Sequence, residues 1–359
     1  IDGRIIELLA ERASVVAEVA EVKKANNLPV YHPAREEDLI TSRRKLAKEL
    51  NLSPDMAEEI FRTVLRNSRI KQTGTMAGKA VNPSAKILVV GGAGAMGRLL
   101  VRWFTQAGYE VRVLEREDWP RAASLCDKID LAILSVPIQA TAQAAQMLSA
   151  HLPKDAILAD ITSVKKEPVR AMLKAHAGPV LGLHPMFGPT TESFDKQIVV
   201  VTEGRESEKC EWVVRQLAAW GAVTVKSTPE EHDEMMDVVQ ALRHFATFCF
   251  GRFLCDQKVN LARTLEFSSP IYRLELGMVG RLFAQDPELY ADIIFSTPER
   301  RELLKGFVKN LSENVKLLDD SDVEGFLKEF RRVSQWFGPF GEQAIRESTY
   351  LIEKMVERF

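Results

Sequence analysis

Positions 92–97 read Gly92-Ala93-Gly94-Ala95-Met96-Gly97, a G-x-G-x-x-G run between the apolar residues 87–90 and a helical stretch at 98–106. Glycines at that spacing permit a tight turn, close approach of the backbone to a pyrophosphate and packing of a helix on a strand, while the helix start faces the phosphates. The next apolar run, 111–114, ends in Glu115, where an acid bonds the ribose hydroxyls of NAD. Arg116 beside it is the feature that speaks for NADP. Gly92, Gly94, Met96, Gly97 and Glu115, with Ser135 and Pro137 at the next strand end, are the expected cofactor contacts.

A doubly wound sheet places its chemistry in the loops at the carboxyl ends of its strands. Polar residues occupy three such loops, at 135–137, 160–165 and 182–189. His184 is the expected proton acceptor, because removing hydride from an alcohol requires a group near neutrality to take the hydroxyl proton. Ser135 and Lys165 are the other expected catalytic residues. Further on, Gln240 and His244 share a helix face, and Arg273 and Arg281 lie two turns apart on an apolar helix. Arginines so placed either fork onto a carboxylate or form surface ion pairs.

Near the start, Arg12 and Lys23 are eleven residues apart, within about 20° of each other on a helix and in line with Ile5, Val16 and Val19. Cations within an apolar stripe require anions, from the protein or from a ligand. Arg35, Glu36, Ser68 and Gln72 complete a possible polar pocket inside a helical bundle, the alternative being cations that snorkel at its edge.

The elements that must carry these residues fall into three textures. Helical periodicity occupies 1–73, with helices over 1–26, from Pro33 through Leu50, and after Ser53-Pro54-Asp55. Residues 74–85 have no periodicity and read as a linker. From 86 to 228, short apolar runs alternate with helical stretches, which predicts an α/β Rossmann-type domain on a parallel sheet. From 229 to 359 the pattern is helical again, so the expected fold is multidomain: all-α, α/β, then an all-α substrate and dimerisation domain.

Bulk properties remove other classes. A chain of 359 residues exceeds one ordinary core, and a formal charge of -2 offers no clustered basic footprint for nucleic acid. Cys126, Cys210, Cys249 and Cys255 have neither metal nor disulfide spacing. No apolar run approaches the roughly 20 residues of a membrane span, and no signal-peptide pattern opens the chain, so a cytoplasmic location is expected.

Three stretches, 181–189 (LGLHPMFGP), 240–248 (QALRHFATF) and 268–287, resemble the bifunctional chorismate mutase/prephenate dehydrogenase family over essentially the whole chain. The resemblance implies that Arg12, Lys23, Arg35, Glu36, Ser68 and Gln72 bind chorismate in an intertwined dimer, with one further arginine from the partner subunit, upstream of Ile1. It implies that His184 meets the C4 hydroxyl of prephenate while hydride leaves for NAD, that Arg281 holds the ring carboxylate with Arg273 in support, and that His244 and Gln240 lie near the substrate. The product would be 4-hydroxyphenylpyruvate, and tyrosine a feedback inhibitor. Asp237 departs from the family pattern, which has a small apolar residue there. The competing expectations are a hydroxy-acid dehydrogenase with an unrelated helical interaction domain, and a redox-sensing module that only binds NAD.

Overall fold

A computed structural model describes residues 1–25, 32–77, 79–191 and 193–356. Asn26, the expected end of the first helix, Gly78 in the expected linker, and residues 357–359 lie outside them. The chain forms two compact units, Ile1–Asp233 and Glu234–Phe359.

The first unit begins with α1 (Asp2–Ala25), α2 (Pro33–Glu49) and α3 (Pro54–Ala77). Both α1 and α2 pack on α3. Pro33 opens α2 behind His32, whose Nδ1 accepts from the Arg35 N–H, a start suited to proline because its missing N–H is not needed there. The stripe on α1 is covered only in its second half: Ala20 is buried and Val16 and Val19 are half-buried, whereas Ile5, Leu8 and Leu9 are exposed. Helix α3 runs to Ala77, so the first residues of the expected linker are helical. The rest is tied down, the Val81 N–H donating to Gln216 Oε1 at 2.8 Å and the Ala85 N–H to the Asn82 carbonyl at 3.0 Å.

The strands that follow are β1 (Lys86–Val90), β2 (Glu110–Leu114), β3 (Leu131–Leu134), β4 (Ile157–Asp160), β5 (Val180–Pro185), β6 (Ile198–Arg205) and β7 (Val223–Ser227), in one sheet of order β2-β1-β3-β4-β5-β6-β7. The first five pair in parallel, β6 runs antiparallel to β5, and β7 is parallel to β6. The expectation of a wholly parallel sheet is therefore corrected at β6, which returns from β5 through a loop without a crossover helix. Strand β7, too polar to read as a buried run, was not anticipated.

Alternate strand residues feed two cores, one on each face. Ile87, Val89, Ile133 and Leu181 join one, while Leu88, Val90, Leu134 and Leu158 join the other, as the two-residue period of a strand requires. The covering helices are α4 (Ala95–Gln106), α5 (Ala122–Leu125), α6 (Ile138–Ser149), α7 (Lys166–Ala175) and α8 (Ser207–Ala219), and α9 (Pro229–Met236) carries the chain across the division between units.

The second unit is helical: a π-helical turn at Asp237–Leu242, then α10 (Arg243–Asp256), α11 (Leu261–Glu266), α12 (Pro270–Phe283), α13 (Pro287–Phe295), α14 (Pro298–Asp319), α15 (Val323–Phe337) and α16 (Pro339–Val356). Ser269, Asp286 and Thr297 cap α12, α13 and α14, each followed by proline at the first helical position. The π-turn accounts for Asp237. Arg300 is fully buried, and its Nε donates to Asp237 Oδ1 at 2.7 Å, so the acid is the counter-charge to a buried guanidinium that a small apolar residue would leave uncompensated. No helix among the described residues is long and apolar enough to cross a membrane.

Candidate active site

Strand β5 carries His184 to the carboxyl end of the sheet, where the ring is buried. Its Nδ1 lies 2.8 Å from Nε2 of His232 on α9, with the rings edge-on at 5.0 Å. His232 Nδ1 lies 2.7 Å from Asp233 Oδ1. Asp233 also accepts from the backbone N–H groups of Lys165 at 2.7 Å and Lys166 at 3.0 Å. Burial pushes the Asp233 carboxyl up, but the bonds from His232, Lys166 and Lys165 outweigh it and hold it below its usual value.

An ionised Asp233 assigns every proton in this chain. Only an acceptor faces His232 Nδ1, so that nitrogen carries hydrogen and neutral His232 presents Nε2 as an acceptor. His184 must then donate from Nδ1, which leaves Nε2 as the ring nitrogen without hydrogen. His232 and Asp233 were not among the expected site residues. Lys165 was, but its ammonium is wholly buried on Asp160 and Thr162 Oγ1, not open to the loop. Burial lowers its pKa against the opposing pull of Asp160. Its link to His184 runs through its backbone N–H and Asp233.

The glycine-rich turn lies between β1 and α4, and β1 stands between β2 and β3, the point where strand order reverses. Ligands of open α/β sheets bind at such a point. Gly91, at φ +76°, makes the turn, and a Cβ there would meet the Ser135 carbonyl oxygen at 2.4 Å. A Cβ on Gly97 would meet the Gly91 carbonyl oxygen at 2.2 Å, and one on Gly92 would meet the Val113 side chain at 2.8 Å. Gly94 is the N-cap of α4, and Met96 packs against the sheet core. Glu115 at the end of β2 accepts from the Ala93 N–H at 2.6 Å, which places a carboxylate directly beside the turn. Ser135 follows β3, its N–H donating to the Val90 carbonyl, and Pro137 caps α6. Gly91 was missed because only the six-residue pattern was read; the doubled glycine was its signal.

A second cluster lies among the first three helices. Arg12 Nη1 donates to Ser68 Oγ at 2.6 Å, and Lys23 Nζ donates to Gln72 Oε1 at 3.4 Å. Ser68 and Gln72 are buried, Arg12 and Lys23 half-buried, and Arg35 exposed. Burial lowers the Arg12 pKa, with the charge of Arg43 adding to it; burial and then Arg35 lower that of Lys23, while Glu36 opposes them. Neighbouring cations thus oppose the charge of Arg12 and Lys23, an arrangement that an anion would relieve. Glu36 is held by Arg69, whose Nη1 lies 2.6 and 2.7 Å from its two oxygens. Neither Arg43 nor Arg69 was anticipated.

In the second unit, the helix expected to carry Gln240 and His244 is interrupted by the π-turn, which contains Gln240. Such turns recur at functional sites. His244 is buried, edge-on to Tyr290 at 4.7 Å. Burial and the Arg243 charge push its pKa down to about 4, so the ring is neutral at pH 7. Arg273 donates to the Leu265 carbonyl at 2.6 Å and lines an apolar cavity of about 830 Å³ with Leu276 and Phe283. Arg281 is exposed in the last turn of α12 and is not part of that lining.

Comparison with known proteins now bears on these clusters. Residues 1–73 match chorismate mutase type II, 109–226 the prephenate dehydrogenase nucleotide-binding domain and 228–332 the prephenate dehydrogenase dimerization domain. The T-protein of Enterobacter agglomerans is 46% identical over 353 residues, spanning 98% of this chain and 94% of that protein. The chain belongs to the T-protein family. The T-protein of Haemophilus influenzae is 41% identical over 355 residues, 99% of this chain and 94% of the relative. As a T-protein, the chain joins a chorismate mutase to a prephenate dehydrogenase and acts in tyrosine biosynthesis. Its fold is shared with a crystal structure titled prephenate dehydrogenase from A. aeolicus in complex with hydroxyphenyl propionate and NAD+, at a TM-score of 0.57 and 20% identity over 70% of this chain and 96% of that one.

Proposed function

We propose that His184 is the proton acceptor of the dehydrogenase, poised by His232 and Asp233, and that Arg12, Lys23, Arg35, Glu36, Ser68 and Gln72 form the chorismate pocket. The hydrogen-bonded chain from His184 to ionised Asp233 carries the first assignment. Prephenate binds with its C4 hydroxyl against His184 Nε2, and Arg281, Arg273, His244 and Gln240 serve its carboxylates and side chain. NAD would be held by the turn residues Gly92, Gly94, Met96 and Gly97 with Glu115, Ser135 and Pro137, and when bound would supply the hydride acceptor. The residues fit that cofactor, because the turn is too tight for a Cβ: one would meet backbone oxygens at Gly91 and Gly97 and the Val113 side chain at Gly92. As the C4 hydrogen departs, the hydroxyl proton passes to His184 Nε2, and Asp233 stabilises the imidazolium through His232. Loss of the ring carboxylate as carbon dioxide then sends its bonding pair into the ring, which becomes aromatic, and the phenolate oxygen takes a proton back from His184 to give 4-hydroxyphenylpyruvate.

In the helical pocket no covalent catalyst is required. The rearrangement of chorismate is unimolecular, so the pocket holds the reactive conformer and sets positive charge against two carboxylates and the ether oxygen. A homodimer, feedback inhibition by tyrosine and a cytoplasmic location complete the reading. One assay tests it: chorismate alone should be consumed without NADH, and adding NAD should bring NADH and 4-hydroxyphenylpyruvate. A chain that oxidises a small hydroxy acid but leaves chorismate untouched would favour the hydroxy-acid dehydrogenase instead.

Asp233→Asn should lower the dehydrogenase kcat by about tenfold, the scale of a lost partner to a charge developing on a catalytic ring. The sign of its pH effect follows from the roles. Without the carboxylate the His184 imidazolium is less stable, so its pKa falls and the acid limb of kcat/KM moves to lower pH. An unmoved limb would show that Asp233 does not act through His184.

A further inference from the structure

Arg69, Glu36, Asp195 and Lys196 form an ion cluster, of which only Glu36 belongs to the proposed chorismate pocket. Arg69 stands on α3 between the pocket residues Ser68 and Gln72 and is buried. One side of its guanidinium holds Glu36, and Nε lies 2.9 and 3.0 Å from the two oxygens of Asp195. Lys196 Nζ lies 3.8 Å from Glu36. Burial alone would disfavour the guanidinium charge, but Glu36 and Asp195 outweigh it and raise the Arg69 pKa. The side chains of Arg69 and Asp195 are each 8% exposed, and that of Glu36 17%, so this is an ion triad largely withdrawn from solvent screening.

The two carboxylates come from different parts of the first unit. Glu36 lies in the first turn of α2, beside Arg35, and its charge acts on Lys23. Asp195 lies in the loop between β5 and β6, and that loop is anchored. Phe194 is buried edge-on against Trp103 at 4.9 Å and Phe187 at 5.2 Å. The Asp195 N–H donates to Ser193 Oγ at 3.0 Å, and the Lys196 N–H donates to the Gly221 carbonyl at 2.9 Å. The fixed end of the triad is therefore on the dinucleotide-binding sheet, and the adjustable end is Glu36.

We propose that Arg69 is a positioning residue for the mutase, held by Asp195 so that the side-chain geometry of Glu36 in the chorismate pocket depends on a residue of the dehydrogenase fold. This rests on the reading of Glu36 as a pocket residue. A guanidinium fastened at Nε has its plane set, and Nη1 then fixes both oxygens of Glu36 in one orientation. Removing the Asp195 charge frees that plane, and Glu36 loses its single rotamer.

The test uses the full chain and five variants, one of them double. Asp195→Asn should lower the mutase kcat by roughly tenfold, the range of coupling within one ion network, while kcat and KM of the dehydrogenase stay within about twofold. Asp195→Glu, which restores the charge, should recover part of the loss. In an Arg69→Lys background Asp195→Asn should cost little more, because the fork it orients is gone. Glu36→Gln separates the two readings. If it leaves the mutase intact, Glu36 is not a pocket residue and the pocket reading fails at that position. If it impairs the mutase while Asp195→Asn does not, the coupling is overturned and the pocket reading survives. A parallel fall of both activities with melting temperature in Asp195→Asn would also overturn the coupling, since a merely structural ion pair has that signature.

Discussion

Replacing His184 with asparagine should lower the dehydrogenase kcat by about a hundredfold or more, the contribution of a positioned general base, and leave the mutase near its original rate. The substitution suits the site because the asparagine amide can still donate to His232 Nε2, so the buried chain keeps its donor and the packing of β5 against β6 is spared. What disappears is the second ring nitrogen, the one atom able to take the hydroxyl proton. The acid limb of the pH profile should flatten in the variant, because the ionisation it reports has been removed. NAD binding, followed by protein fluorescence or calorimetry, should be unchanged, since the glycine turn draws on β1 and α4. A variant that turns over prephenate at the original rate would remove His184 from the reaction.

Legibility in the sequence followed the range of the interactions concerned. The strand-end placement of His184 was legible because a histidine between glycine and prolines is a local pattern, and the Arg12–Lys23 stripe because helical periodicity spans only a few turns. The order of helical, α/β and helical regions was legible for the same reason. Partners at long range were not. His232 meets His184 across 48 residues of chain, and Arg69 meets its two acids across 33 and 126 residues; nothing local distinguishes Arg69 from the other arginines of α3. The burial of the Lys165 ammonium was not legible either, because the folded end of β4 brings Asp160 beneath it. The direction of β6 was illegible because a run of valines has the same pattern whichever way it is paired. The π-turn was hidden too, since one inserted residue barely disturbs the apolar period from which a helix is recognised.

The mutase half yields the second large effect. Arg12→Ala should reduce mutase kcat/KM by roughly ten- to a hundredfold, the equivalent of about 1.5 to 3 kcal/mol for a charge-assisted bond to a carboxylate. Arg12 is the cation most committed to the pocket: it is half-buried, fastened to Ser68 Oγ and held near Arg43 at some cost to its own charge. That unfavourable arrangement persists in the absence of ligand because α1 and α2, both packed on α3, impose it, so a dianionic substrate relieves repulsion as well as forming new bonds. Removing Arg12 should therefore stabilise the unliganded helices slightly or leave them unchanged, while weakening chorismate binding. Stability and activity would move in opposite directions, which loss of an ordinary structural arginine would not produce. The dehydrogenase draws on none of these residues and should keep its rate. Thermal unfolding and both assays on the same preparation decide the matter: a marked drop in melting temperature with unchanged mutase efficiency would make Arg12 a structural cation and leave the pocket without its anchor.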